Sequence, residues 1–245
     1  MANYLLIDIS NSFTKLAFAT RRRISKPARI ETRKLTSAVV RRILRHRKIN
    51  MVIVSSVVPN KNAAIRAAAK RSRILWLTPR INLGVGIDYP RPKEIGADRL
   101  ANAAAVAAIY DCPAIVVDFG TAVTFDIVSA KRKYIGGVIA PGLEAMTNFL
   151  YRRTALLPKL SMKEPRSAVG KSTIEAMRSG AVIGYRGLVR EIIQRIKAER
   201  FPRQKLHVIA TGGYADLIAK GLGEIDSVHH NLTLEGLRIV ANLNA

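Results

Sequence analysis

Two periods of apolar residues alternate along the chain, one of about two residues and one of about four, and each marks a kind of element. Residues 4–8, Tyr-Leu-Leu-Ile-Asp, read as an apolar strand that stops on a carboxylate. The chain turns through 10–13 and returns as a strand over 15–20. A basic turn at 21–27 leads to a possible third strand over 28–33. Thr36 suits an N-cap for a helix to about His46, with Val39, Val40, Ile43 and Leu44 on one side. A Val/Ile-rich strand at 51–55, a helix at 60–72 and a strand at 73–77 follow. Pro79, Gly84, Gly86, Pro90 and Pro92 make 78–95 a long loop, a length that in a compact protein goes with function. Residues 97–110 are an Ala-rich helix suited to close packing, and Asp111-Cys112-Pro113 breaks it.

The opening pattern then returns. Ile115 to Val117 is a short apolar strand ending at Asp118, Gly120 permits a tight turn, and Val123 to Val128 is a second strand. Asp8 and Asp118 thus end corresponding strands, each followed two positions later by a small residue and then by a hydroxyl. A duplication of this period predicts two similar halves facing each other across a cleft, 1–112 and 113–245, with the two carboxylates converging. Residues 133–140 add a strand, whose Gly136-Gly137 pair predicts a bulge or a close backbone approach. Pro141-Gly142 leads into a helix to about Tyr151, and 154–171 is irregular and basic. Ser172 or Thr173 caps a long helix, interrupted by Gly180, Gly184 and Gly187, that ends near Glu199. A strand at 206–210, a Thr211-Gly212-Gly213 turn, a helix at 214–220 and a last helix at 233–243 complete the chain.

Composition narrows the class. At 245 residues and 49% hydrophobic content the chain can bury a sizeable core. No apolar run approaches the length of a membrane span, and the opening run stops at Asp8 without a basic stretch before it, unlike a signal peptide. A single cysteine, Cys112, excludes an internal disulfide, and a cytoplasmic protein is the economical expectation. Charge is the unusual feature: 41 Lys and Arg against 17 Asp and Glu give +24. It is scattered in small groups, among them Arg21-Arg22-Arg23, Arg41-Arg42, 45–48 and 70–73. Aromatics make up only 6%, which is no base-stacking pattern, so solvated basic faces are the favoured account and specific nucleic-acid binding is not expected.

The polar tips carry the candidate chemistry. Paired carboxylates suit magnesium bridging phosphate oxygens. Ser10 to Ser12 and Gly120-Thr121 can offer N–H and hydroxyl donors to phosphate. Lys15 either adds a compact positive charge there or faces solvent from its strand. Thr211-Gly212-Gly213 lets backbone approach a flat ligand ahead of a helix.

In this order the motifs resemble the ASKHA phosphotransferases, which include acetate and sugar kinases, Hsp70 and actin. A closer resemblance spans nearly the whole chain. Gly96-Ala97-Asp98-Arg99, Asp118-Phe119-Gly120-Thr121-Ala122, Gly136-Gly137 with Pro141-Gly142-Leu143, Thr154-Ala155 with Leu157-Pro158, and Gly170-Lys171-Ser172-Thr173 stand as in type III pantothenate kinases. The resemblance implies an α/β, duplicated actin-like ATPase (ribonuclease H-like) fold, with two βββαβαβα-type halves around a central cleft. It implies ATP-dependent phosphorylation of pantothenate toward coenzyme A by a homodimer. It further implies Asp98 as general base, Asp8 near magnesium, and Asp118 on a monovalent cation, K+ or NH4+. ATP would be held by Asp8, Ile9, Ser10, Asn11, Ser12, Phe13, Thr14, Lys15, Thr121, Gly212 and Gly213, and pantothenate by Tyr89, Gly96, Ala97, Asp98, Arg99 and Thr173. Thr173 would act in its own subunit or from the partner. The first motif departs from the family's usual Asp-x-Gly-Asn-Thr: Ser10 replaces the glycine and Ser12 the threonine. Either the Ser10 hydroxyl compensates for its Cβ, or ATP binding is weakened. Two other functions fit the family: a transcription-associated homologue of the Bvg accessory factor type, and an ASKHA kinase for another small hydroxyl substrate.

Overall fold

In the computed structural model, which describes residues 3–45, 47–70 and 72–245, the alternating start of the chain is a β-hairpin. β1 (Tyr4–Ile9) is wholly buried and pairs antiparallel with β2 (Phe13–Ala19), with Asp8 directly opposite Lys15. β3 (Ala28–Glu31) continues the meander. Helix α1 (Ser37–Leu44) starts on Thr36, whose hydroxyl accepts the Val39 N–H. β4 (Met51–Ser56) then lies parallel to β1, and β5 (Arg73–Trp76) parallel to β4. The sheet order β3-β2-β1-β4-β5 puts the most apolar strands in the middle. Leu5, Ile7, Ile9, Val52 and Val54 share its core with Val40 of α1 and with Ile65 of α2 (Asn62–Ala68).

Several boundaries differ from the sequence expectation. α1 ends at Leu44, and the expected end at His46 lies outside the described residues, as does Arg71 of the 70–73 group. Pro59 opens a tight turn over Pro59–Lys61, so α2 begins later than its alanine pattern suggests. Inside the long loop, β6 (Gly86–Ile87) is a strand of only two residues, too short for any periodicity to reveal.

Helix α3 (Ala97–Ile109) is buried from Leu100 through Ala107. Its alanines admit the chain's last helix, α7 (Leu232–Leu243), to backbone distance. A Cβ on Gly236 would overlap the Ala101 carbonyl, and the buried Thr233 hydroxyl donates to Asn102 Oδ1 at 2.9 Å.

The second sheet has the order β11-β10-β7-β8-β9-β6. Its members are β7 (Ala114–Phe119), β8 (Ala122–Val128), β9 (Lys133–Pro141), β10 (His207–Gly212) and the two-residue β11 (Ser227–Val228), together with β6. Helices α4 (Leu143–Arg153), α5 (Thr173–Arg200) and α6 (Ala215–Ala219) belong with it. The glycines at 180, 184 and 187 do not interrupt α5, which runs unbroken for 28 residues. Beyond the neighbouring residues and backbone of the helix itself, nothing stands within 4 Å of where their Cβ atoms would be, and buried Val182, Tyr185, Val189 and Ile193 hold the helix against their cost of about 1 kcal/mol each. Two units divide the chain: Met1–Asp111 with Val128–Gly136 and Asn231–Ala245, and Cys112–Ile127 with Gly137–His230.

Candidate functional site

In the first unit the polar tip of the β1–β2 hairpin is built around Asp8. Its carboxylate is 4% exposed and accepts two hydroxyls, Ser55 Oγ on Oδ1 at 3.0 Å and Ser10 Oγ on Oδ2 at 3.3 Å. Ser55 comes from β4, the parallel neighbour in register with Asp8. The tip is held from below: Ser10 N–H donates to the Phe13 carbonyl, and the Thr32 hydroxyl donates to the Ser10 carbonyl at 2.6 Å. Asn11 and Ser12 remain exposed, Ile9 and Thr14 are buried, and the Arg29 guanidinium covers the Phe13 ring at 3.5 Å. Lys15, facing Asp8 across the strands, shares its side of the sheet.

The same sheet end carries a second carboxylate. Val57, just beyond β4, donates its N–H to the Ile9 carbonyl, and its Cγ1 stands 3.6 Å from where a Gly96 Cβ would be. Gly96 is the N-cap of α3, and Asp98 lies in the first turn. Asp98 Oδ1 accepts the Arg99 N–H at 2.9 Å, folding the carboxylate back over the helix start. A Cβ on Gly96 would sit 2.6 Å from that oxygen, so the glycine makes room for the carboxylate. A helix N-terminus favours the negative charge there.

Arg99 and Tyr89 meet on one aromatic ring. Tyr134, fully buried on β9, lies under the Arg99 guanidinium at 5.7 Å and edge-on to Tyr89 at 6.1 Å. β6 pairs with the start of β9, and the Asp88 N–H donates to the Tyr134 carbonyl, which fixes Tyr89 in place. Gly136 has φ +131°, and the Tyr89 ring lies 3.9 Å from its missing Cβ. That is ordinary contact, and what calls for glycine at 136 is its positive φ.

In the second unit the Asp118 hairpin and the glycine turn form one assembly. β10 runs parallel to β7 with Thr211 opposite Asp118 and Gly212 opposite Phe119. Gly212 has φ +94°, and a Cβ there would stand 2.6 Å from Asp118 Oδ1. Gly213 N–H donates to the Phe119 carbonyl at 3.0 Å. The Thr211 hydroxyl is buried and has no hydrogen-bond partner among the described residues. At the hairpin tip Thr121 is exposed, and Gly142 packs so tightly that a Cβ would overlap the Gly120 and Thr121 carbonyls. Glu144, in the first turn of α4, accepts the Tyr214 hydroxyl and links that helix to the glycine turn.

Thr173 is the first residue of α5 and is exposed. The cap is Ser172, whose Oγ accepts the Glu175 N–H, while Glu175 Oε2 accepts the Lys171 N–H at 2.8 Å. The Thr173 hydroxyl is therefore not the cap. The residues that sequence reasoning missed are the supports: Ser55 under Asp8, Tyr134 between Arg99 and Tyr89, and Thr211 beside Asp118. Only Thr211 had a signal, because it opens the glycine turn; the others are supplied by strands distant in sequence.

The donor sets can be compared with the metals that the motifs imply. Among the described residues no group of three or more His, Cys, Asp or Glu could cage a metal ion. Magnesium needs no such cage, since it keeps several waters and takes one or two carboxylates plus substrate phosphates. A buried carboxylate held by two hydroxyls at an N–H-rich turn fits that use. The unsatisfied Thr211 hydroxyl in register with Asp118 adds an oxygen donor suited to a weakly held monovalent cation. No helix among the described residues is long and apolar enough to cross a membrane.

Comparison with known proteins adds the family. The model of the type III pantothenate kinase family matches residues 4–195. A type III pantothenate kinase of Akkermansia muciniphila is 48% identical over 98% of this chain and 99% of its own. Among solved structures, a Baf family transcriptional activator from Campylobacter jejuni superposes with a TM-score of 0.63 at 21% identity, covering 98% of each chain. An archaeal actin homologue superposes with a TM-score of 0.52 at 11% identity, covering 98% of this chain and 99% of its own. At such identities these structures speak for the fold alone, and that fold is the duplicated actin-like one.

Proposed function

The chain belongs to the type III pantothenate kinase family, and from that premise we propose how its residues divide the work. It phosphorylates pantothenate with ATP, the first step of coenzyme A biosynthesis. The observation that carries the residue-level reading is Asp98, turned back over Gly96 at the sheet end that also carries Asp8.

Asp98 acts as general base. It takes the proton of the pantothenate primary hydroxyl as that oxygen attacks the γ-phosphorus, and the bond to the ADP oxygen breaks in line. Tyr89, Arg99 and the Gly96–Ala97 backbone hold the acceptor, with Tyr134 fixing the first two. Arg99 supplies a cation for the pantothenate carboxylate. Thr173, spared from capping, offers its hydroxyl to the same substrate from its own or the partner subunit. The turn from Ser10 to Phe13 and Thr121 present donors to the phosphates, and Gly212 and Gly213 let backbone approach the adenosine.

Asp8 would orient magnesium through its water shell, and the ion would supply charge neutralisation on the phosphate oxygens. Asp118, with the Thr211 hydroxyl, would hold potassium or ammonium beside the nucleotide. A homodimer is supported by apolar surface on the second unit: Phe149 on α4 is 62% exposed, and Leu156 beyond it 89%. The proposed compartment is the cytoplasm. The transcription-associated alternative is not favoured, because the full-length relative at 48% identity is a kinase.

The direct test is ADP release coupled to pantothenate addition, run with and without potassium. Turnover that needs both pantothenate and a monovalent cation is expected. No pantothenate-dependent turnover at millimolar ATP would overturn the reading.

A further inference from the structure

Three basic groups that lie apart in the sequence meet at one place that the kinase reading does not use. A cavity of about 490 Å³ in the first unit has an apolar body from Tyr4, Phe18, Ile24 and Ile49 and a rim of Arg23, Arg47 and Lys48. A second cavity of about 370 Å³ shares Phe18, Ser25 and Arg47 and adds Lys26, Arg42 and Arg45. Six cations therefore surround the pair, and no described Asp or Glu lines either. The first cavity opens at the start of β1, whereas Asp8 stands four residues further on, about 13 Å at strand rise.

Hydrogen bonds hold the backbone of the turns that carry the first cavity's rim, and one rim side chain is itself in contact. On the β2–β3 side, Thr20 Oγ1 accepts the N–H groups of Arg22 and Arg23, and Thr20 N–H donates to the Arg23 carbonyl at 2.9 Å. Helix α7 holds the same turn, with Arg238 and Asn242 both donating to the Arg21 carbonyl. On the other side, Asn3 Nδ2 donates to the Lys48 carbonyl and Asn50 N–H to the Asn3 carbonyl. The Arg47 guanidinium rests on the Phe18 ring, 4.1 Å from its centroid. One guanidinium placed on an aromatic ring, with further exposed cations around an apolar floor of Tyr4, Ile24 and Ile49, suits phosphate oxygens attached to an apolar body.

We propose that this cavity is a second anion site, distinct from the ATP and pantothenate sites, that takes a small organic phosphate with an aromatic or apolar body. Its volume of about 490 Å³ lies within the range of small-molecule pockets. Aromatic faces for successive stacked bases are lacking, since Phe18 is already covered by Arg47, which argues against an extended single strand.

The test uses the full chain and isothermal titration at about physiological salt. The probes are adenosine 3′,5′-bisphosphate, inorganic pyrophosphate and a 15-mer of oligothymidylate. Variants are R23S, R47S and the double R23S/R47S, each checked by thermal melting; the single R23S lies on an exposed turn and guards against misfolding of the pair. Expected is a loss of tenfold or more in bisphosphate affinity in the double variant and a smaller loss in R23S, with KM for ATP and pantothenate unchanged. Pyrophosphate should bind more weakly than the bisphosphate. Equal bisphosphate binding by wild type and all folded variants would overturn the site. Pyrophosphate binding as tightly as the bisphosphate, or oligothymidylate more tightly, would overturn the ligand class.

Discussion

Gly212 lies against the carboxylate of Asp118, and a Cβ at residue 212 would stand 2.6 Å from Asp118 Oδ1 and from the Phe119 backbone nitrogen. The two motifs are thus one piece of structure, joined by the parallel pairing of β7 with β10. Gly212→Ala would face both that overlap and a φ of +94°. The conformation alone costs about 1–2 kcal/mol for a residue with a Cβ. The expected result is a lower melting temperature, a raised KM for ATP and a weaker response to potassium. An alanine variant with unchanged potassium response would separate Gly212 from the cation role proposed for Asp118.

Gly96 and Asp98 make a similar pair in the first unit. Asp98→Asn keeps an oxygen for the Arg99 N–H but cannot take a proton, so the fold should survive while kcat falls by about 10²–10⁴. Gly96→Ala puts a Cβ 2.6 Å from Asp98 Oδ1 and displaces the proposed base without removing it. Its kcat should fall at least about tenfold. Combined with Asp98→Asn it should add little, because residues in contact do not act additively. Circular dichroism and steady-state kinetics on the three variants check this, and an active Asp98→Asn would end the base assignment.

These two pairs mark how far the sequence could be read. Asp8, Asp118 and the glycine turn were legible because each ends an apolar run, and the repeat tied them together. The element order was legible for the same reason, down to Thr36 as a cap and the alanines of α3 as a packing face. What stayed hidden depends on chain segments that meet only after folding. Ser55 reaches Asp8 through parallel pairing 47 residues away. Tyr134 looks like any strand aromatic until β6, a two-residue strand, brings Tyr89 to it. Glycine itself misled in α5, where it reads as a break but lies in open space. Of the two cap candidates at the start of α5, the structure selects Ser172, whose hydroxyl accepts the Glu175 N–H.

Ser10 occupies the position where the family's motif has glycine, and its hydroxyl is turned to Asp8 Oδ2 at 3.3 Å. That bond is long, and a neutral hydroxyl at this range contributes little beyond about 0.5 kcal/mol. Ser10→Gly would remove the Cβ from the turn proposed to face the phosphates. The expected outcome is a KM for ATP about two- to fivefold lower, with kcat and the melting temperature nearly unchanged. A higher KM would mean instead that the hydroxyl compensates for its own bulk by holding Asp8.

Glu164 and Arg186 give the irregular segment before α5 its anchor, and with it a pH dependence. Arg186 is 9% exposed; its two terminal nitrogens meet Glu164 Oε1 and Oε2 at 2.8 and 2.7 Å, and it also donates to the carbonyls of Leu217 and Ile218. Gly221 allows the guanidinium to lie flat, since a Cβ would stand 2.6 Å from Arg186 Cζ. Hydrogen bonding to Arg186 holds the Glu164 carboxyl below its usual value of 4.5. A carboxyl lowered in the folded state contributes stability above its unfolded pKa and loses it as pH falls through the folded one. The Glu164 side chain is 40% exposed, so solvent screening keeps the contribution to about 1 kcal/mol or less. Glu164→Gln should therefore melt a few degrees below wild type at pH 7. The gap should narrow as pH drops below about 4.5 and vanish once Glu164 is protonated in the folded protein. Melting curves of both proteins from pH 7 to pH 3 test this, and a gap that stays constant across the range would assign the loss to packing rather than to the ion pair.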